Sequence, residues 1–105
     1  RIVDVWHANT IGGYSYMDKT QSNLNLRRSI VKEAEGRGRF RSIMTSGNGC
    51  PPDGPTQKLL DLVGRHGQRP AHIRFFVSAP GFRTLSTQIN IQGDKHMCDD
   101  FAFAT

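Results

Sequence analysis

The ten residues from Ser46 to Pro55, Ser-Gly-Asn-Gly-Cys-Pro-Pro-Asp-Gly-Pro, constrain this chain more than any other stretch. Proline lacks a backbone donor and fixes φ, while glycine weakens helix and strand alike, so the segment predicts an irregular but rigid loop rather than a regular element. Loops of that kind are usual carriers of function.

On either side lie short β-branched segments. Val3 and Val5 alternate with polar or aromatic neighbours, Ile30-Val31 follows, and Phe40-Arg41-Ser42-Ile43 comes after the turn-prone Glu35-Gly36-Arg37-Gly38. Ile73-Arg74-Phe75-Phe76-Val77 and Thr87-Gln88-Ile89-Asn90-Ile91 read as two further strands, separated by a turn at Ala79-Pro80-Gly81. One helix is expected: Pro55 suits a first turn, Leu59, Leu60, Leu62 and Val63 form an i, i+3, i+4 stripe, and Gly64 closes it. The fold class is therefore mainly β, part of an antiparallel β-sandwich with one short helix. With few strands the sandwich is incomplete, and its edges are expected to invite association.

A length of 105 residues allows one domain. The opening Arg1-Ile2-Val3-Asp4-Val5-Trp6 lacks a methionine and already alternates, and Phe101-Ala102-Phe103-Ala104-Thr105 has no polar tail, so both ends are expected to be cuts within a longer chain. No apolar run approaches the roughly 20 residues that span a bilayer, and the expectation is a cytoplasmic protein without a membrane partner. Cys50 and Cys98 lack a close spacing and read as reduced thiols. The net charge of +5 raises the question of nucleic acid. Its densest stretch, Arg37-Gly38-Arg39-Phe40-Arg41, alternates like the solvated face of a strand, which argues against that partner.

Candidate donors are His7, His66, His72 and His96, with Tyr14, Tyr16 and the two cysteines. None has the close spacing that puts two imidazoles of one element on one metal, so residue pattern alone yields no complete site.

Longer words are more specific. Val5-Trp6-His7-Ala8-Asn9-Thr10, Tyr14-Ser15, Asn25-Leu26-Arg27-Arg28, Gly49-Cys50-Pro51-Pro52, Gly54-Pro55-Thr56-Gln57, Gly64-Arg65-His66-Gly67, Arg69-Pro70-Ala71-His72 and Asp99-Asp100-Phe101-Ala102 occur in order through the chain. In these words the sequence resembles the intradiol ring-cleavage dioxygenases, the catechol 1,2-dioxygenases above all. The resemblance implies a non-haem Fe(III) held by two tyrosinates and two histidines in a β-sandwich. It also implies catechol or a substituted catechol and dioxygen as substrates, cis,cis-muconate as product, and a homodimeric parent. Residues 1–105 would then be a single piece of the catalytic domain, with an N-terminal dimerisation region and C-terminal strands absent.

Position by position, the resemblance makes Tyr14 and His72 metal ligands. The family's second tyrosine and second histidine fall at Asn48 and Arg74. A neutral amide and a permanent cation replace a phenolate and an imidazole there, which puts iron binding and activity of this chain in doubt. Arg69 matches a family arginine that stabilises negative charge on the oxygenated intermediate; without the resemblance it reads equally as a salt bridge where a strand begins. Gln88 matches a polar residue behind the ligands, and Phe101 and Ala102 match the substrate-pocket wall. Trp6 reads as core and His7 as a structural hydrogen-bonder, while Cys50 is a disfavoured substitute ligand. The alternative reading is a non-catalytic, metal-free aromatic-binding β-module, in which the Arg74 charge replaces that of the ion.

Overall fold

The computed structural model of the chain describes residues 2–31 and 35–103. Arg1, Ala104 and Thr105, which enter the expectation about the chain ends, lie outside the described residues. The elements run β1 (Ile2–His7), β2 (Arg27–Val31), β3 (Asn48–Gly49), α1 (Pro55–Leu62), β4 (Gln68–Arg69), β5 (His72–Ser78) and β6 (Leu85–Asn90). A four-stranded antiparallel sheet has the order β2-β1-β5-β6, and β3 pairs with β4 in a separate two-stranded ladder.

Register determines which side chains share a face, because directly opposed residues point the same way. Arg27 pairs with Trp6, Trp6 with Arg74, and Arg74 with Gln88, so these four form one row across the sheet. His72, opposite Asn90, stands on the same face. The other face carries Val3, Val5, His7, Phe75 and Val77. β5 and β6 form a hairpin whose turn is closed by Phe82 N–H donating to the Ala79 carbonyl at 3.2 Å, as the Pro-Gly signal predicts.

Three expectations are corrected. Phe40–Ile43 forms no strand. Instead it crosses the second face of the sheet: the Phe40 ring lies 6.4 Å from that of Phe75, and the Ser42 hydroxyl hydrogen-bonds His7 Nε2. Face packing has displaced edge pairing. The apolar stripe of α1 is not a core stripe, since Leu60 is buried while Leu59, Leu62 and Val63 are exposed. Its end is as expected: Gly64 takes φ +71°, and its N–H donates to the Asp61 carbonyl. The loop from Ser46 to Pro55 is also less irregular than its composition suggests, because Asn48 and Gly49 pair with Arg69 and Gln68.

Among the described residues the buried apolar set is small: Val5, Ala8, Tyr14, Leu60 and Ala71. His7, Ser15, Thr45, Arg69, His72 and Asp100 are buried with them. Buried polar groups need partners, and several of these residues meet around Tyr14 and His72.

Candidate functional site

Tyr14 is delivered by a loop that the Asn9 side chain organises. Asn9 Oδ1 accepts from the backbone N–H of Ile11 at 3.0 Å and of Gly13 at 2.8 Å, a local alternative to helix or strand bonding. Gly12 is required there: its φ is +86°, and a Cβ would lie 2.7 Å from the Gly47 carbonyl oxygen. The tyrosine ring then meets Trp6 edge to face at 5.0 Å, and Trp6 Nε1–H donates to Ser15 Oγ at 3.0 Å. Trp6 is thus half-buried on the site face, under the Arg27 guanidinium, rather than in the core.

His72 opens β5 immediately after Pro70-Ala71. Its Nδ1–H donates to the Pro70 carbonyl at 2.8 Å, which leaves Nε2 as the nitrogen with a lone pair. The Tyr14 hydroxyl donates to that Nε2 at 3.0 Å, and Arg69 Nη1 approaches it at 3.3 Å. Two donors that the resemblance paired as ligands are therefore adjacent and buried, although 58 residues separate them.

Arg69 is 6% exposed and is held by Asp100, with Nε and Nη2 donating to the carboxylate at 3.0–3.3 Å. The ion pair read from bare chemistry is present, and the guanidinium also faces His72. Its Nη2 donates to Gln88 Oε1 at 3.3 Å, and Gln88 Nε2 donates to Asn90 Oδ1 at 2.9 Å, which puts Gln88 behind the pair. Asp100 is the residue that sequence reasoning passed over: it lies within a quoted word, but a buried arginine's need for a counter-charge was its only signal.

Tyr14, Asn48, Cys50, Arg69 and Phe101 line an open cavity of about 420 Å3. Asn48 Oδ1 is buried without a hydrogen-bond partner among the described residues. Ala102 is exposed, does not line this cavity, and uses its N–H to bind Asp100 Oδ1 at 3.0 Å. Arg74 lies in a neighbouring depression of about 280 Å3 with Phe76, Ser86, Thr87 and Gln88.

Burial pushes the Tyr14 phenol above its ordinary pKa, against the opposing charge and hydrogen-bonding pull of Arg74 and the charge of Arg69. Burial likewise holds His72 below its ordinary value; the Pro70 hydrogen bond opposes this, and the charges of Arg69 and Arg74 reinforce it. At neutral pH the centre is a neutral phenol and a neutral imidazole between two guanidinium groups. His7 is buried apart from them, with Nδ1 on the Ala8 carbonyl at 2.6 Å, the structural role expected of it.

The family model Dioxygenase_C, described as "Dioxygenase", matches residues 1–105. Catechol 1,2-dioxygenase 2 of Acinetobacter lwoffii is 64% identical over 104 residues, covering 99% of this chain and 38% of that relative. Catechol 1,2-dioxygenase of Acinetobacter guillouiae is 58% identical over 103 residues, covering 98% of this chain and 34% of the relative. The crystal structure of catechol 1,2-dioxygenase from Pseudomonas arvilla C-1 superposes with a TM-score of 0.93 at 66% identity, covering 99% of this chain and 34% of that one. The chain thus spans about a third of the length of the curated relatives it matches. The mainly antiparallel strands and one short helix of the described residues match part of the β-sandwich domain of these enzymes. With the matched model and the ordered words of its sequence, this chain belongs to the intradiol ring-cleavage dioxygenase family.

Proposed function

We propose that the whole protein containing this sequence descends from enzymes that cleave catechol between its two hydroxyl-bearing carbons to cis,cis-muconate, and that this chain carries their metal site in a form that does not retain Fe(III). The observation behind the first half is the buried approach of Tyr14 Oη to His72 Nε2 at 3.0 Å. A phenolate and a neutral imidazole suit a ferric ion as donors, and the Pro70 carbonyl already fixes the required histidine tautomer.

The donor set does not extend far enough. Asn48 offers only a neutral amide oxygen, and Arg74 brings a permanent charge close enough to act on the Tyr14 phenol, where it opposes a trivalent cation. In this chain Arg69 and Gln88 position the His72 side of the site, and Phe101 walls the cavity.

A second reading, a metal-free module that binds phenolic rings, is favoured by one observation: Asn48 lines this cavity, and its buried Oδ1, which a turn of the side chain would expose, has no partner among the described residues. A ring hydroxyl could satisfy it. In this reading the Arg74 charge takes the place of the ion's.

The test places this segment in a full-length catechol 1,2-dioxygenase and compares it with the Asn48→Tyr, Arg74→His double variant. The segment as it stands should give little iron and no tyrosinate-to-iron colour. The double variant should recover both, together with muconate formation followed by ultraviolet absorbance, and Arg74→His alone should recover more metal than Asn48→Tyr alone. A double variant that binds no iron would show that Tyr14 and His72 are not ligands. Catechol binding to the metal-free chain, weakened by Asn48→Ala, would support the second reading.

A further inference from the structure

His66, His96 and Asp99 stand together outside the cavity lined by Tyr14 and Arg69, and no step considered so far uses them. One donor atom from each lies within 4.8 Å of the others. His66 Nε2 is 2.7 Å from Asp99 Oδ2, and the rings of His66 and His96 are 4.8 Å apart, tilted by 36°. We propose that these three side chains form a second metal site, for a borderline-soft divalent cation of the zinc type.

Two imidazoles and a carboxylate are a common protein complement for zinc, with solvent in the fourth position. A tetrahedral ion with ligands at about 2.0–2.1 Å sets its donors about 3.4 Å apart. His66 and Asp99 must open slightly from their hydrogen-bonded distance, and His96 must turn inward. Both histidines are only partly buried and Asp99 is exposed, so these rotations meet little packing resistance.

The backbone beneath is already held. Asp94 Oδ1 accepts the His96 N–H at 2.8 Å, and the Asp99 N–H donates to the His96 carbonyl at 3.1 Å, which keeps the second and third ligands on one turn. On the other side the Gln68 N–H donates to His66 Nδ1 at 3.1 Å, so without a cation the ring carries its hydrogen on Nε2, toward Asp99. The cation displaces the proton that His66 Nε2 shares with Asp99. That proton passes to Nδ1 by way of solvent, because a neutral imidazole bound through Nε2 carries its hydrogen on Nδ1; the Gln68 bond is then lost, a cost of roughly tenfold in affinity that three ligands outweigh. Asp99 adjoins Asp100, so the cation would tie the loop after α1 to the segment that anchors Arg69.

The experiment titrates zinc chloride by calorimetry into a full-length catechol 1,2-dioxygenase that carries this segment, beside its His96→Gln and Tyr14→Phe variants. We expect a single zinc per chain in the micromolar range and a melting temperature raised by several degrees. His96→Gln should lose both effects while keeping its far-ultraviolet circular dichroism, and Tyr14→Phe should keep both. Cobalt(II) should give a visible ligand-field band that the same histidine variant abolishes. The proposal is overturned if zinc binds no tighter than millimolar, if His96→Gln binds as the parent does, or if Tyr14→Phe removes the binding.

Discussion

Arg69 sits at 6% exposure only because Asp100, itself 3% exposed, meets it with three donor–acceptor contacts. Removing one partner of a buried pair costs about 3–5 kcal/mol, because the remaining charge loses its compensation. Arg69→Ala should therefore unfold much of the population at 25 °C, read as a collapsed urea midpoint, whereas Gln88→Ala, which removes one acceptor, should shift it far less. Tyr14 and His72 were legible because they lie in words of a known family. Their hydrogen bond was not, since no spacing rule joins residues so distant in the chain. Asn48 and Arg74 were legible as departures from those words, but the unpartnered amide oxygen and the arginine's effect on the Tyr14 phenol exist only in three dimensions.

Among the elements, those with β-branched alternation and turn punctuation on both sides were the most legible: β1, β5 and β6 lie close to where periodicity put them. Phe40–Ile43 carries a similar pattern, yet its aromatic ring and hydroxyl find partners across the sheet face, a choice that pattern cannot express. Asp94, together with the Ile91 N–H that donates to the Ala71 carbonyl, ties the start of β5 to the chain beyond β6. Burial alone would raise its pKa, but the backbone N–H groups of His96 and Ala71 and the charges of His96 and Lys95 hold it below the ordinary carboxylate value. A depressed native pKa means that the unfolded chain takes up the proton first as pH falls. The contribution is thus fully present above the ordinary value of 3.8 and is lost as pH drops through the lower native one. Asp94→Asn should lower the melting temperature modestly at pH 7 and flatten its fall between pH 5 and pH 3, measured by circular dichroism.

At the scale of the molecule, the radius of gyration is 15.5 Å, against about 13 Å for a compact domain of this length. Few apolar side chains are buried, while Ile2, Val31, Leu85 and Ile89 remain 44–72% exposed on the sheet. β2 and β6 are both edges. The isolated chain should be marginally stable and should self-associate, seen as concentration-dependent sedimentation with a broad melt; a monomer with a sharp two-state transition would contradict this. The contact between Tyr14 and His72 has a further consequence, for time rather than stability. It closes a span of 58 residues, and the central pairing of β1 with β5 joins segments more distant still, whereas the β5–β6 hairpin needs only its own turn. Loop closure must be met before such contacts reward it, so the hairpin leads and the tyrosine reaches its histidine late. The centre built on Tyr14 and His72 is then expected among the last parts of the molecule to acquire its shape.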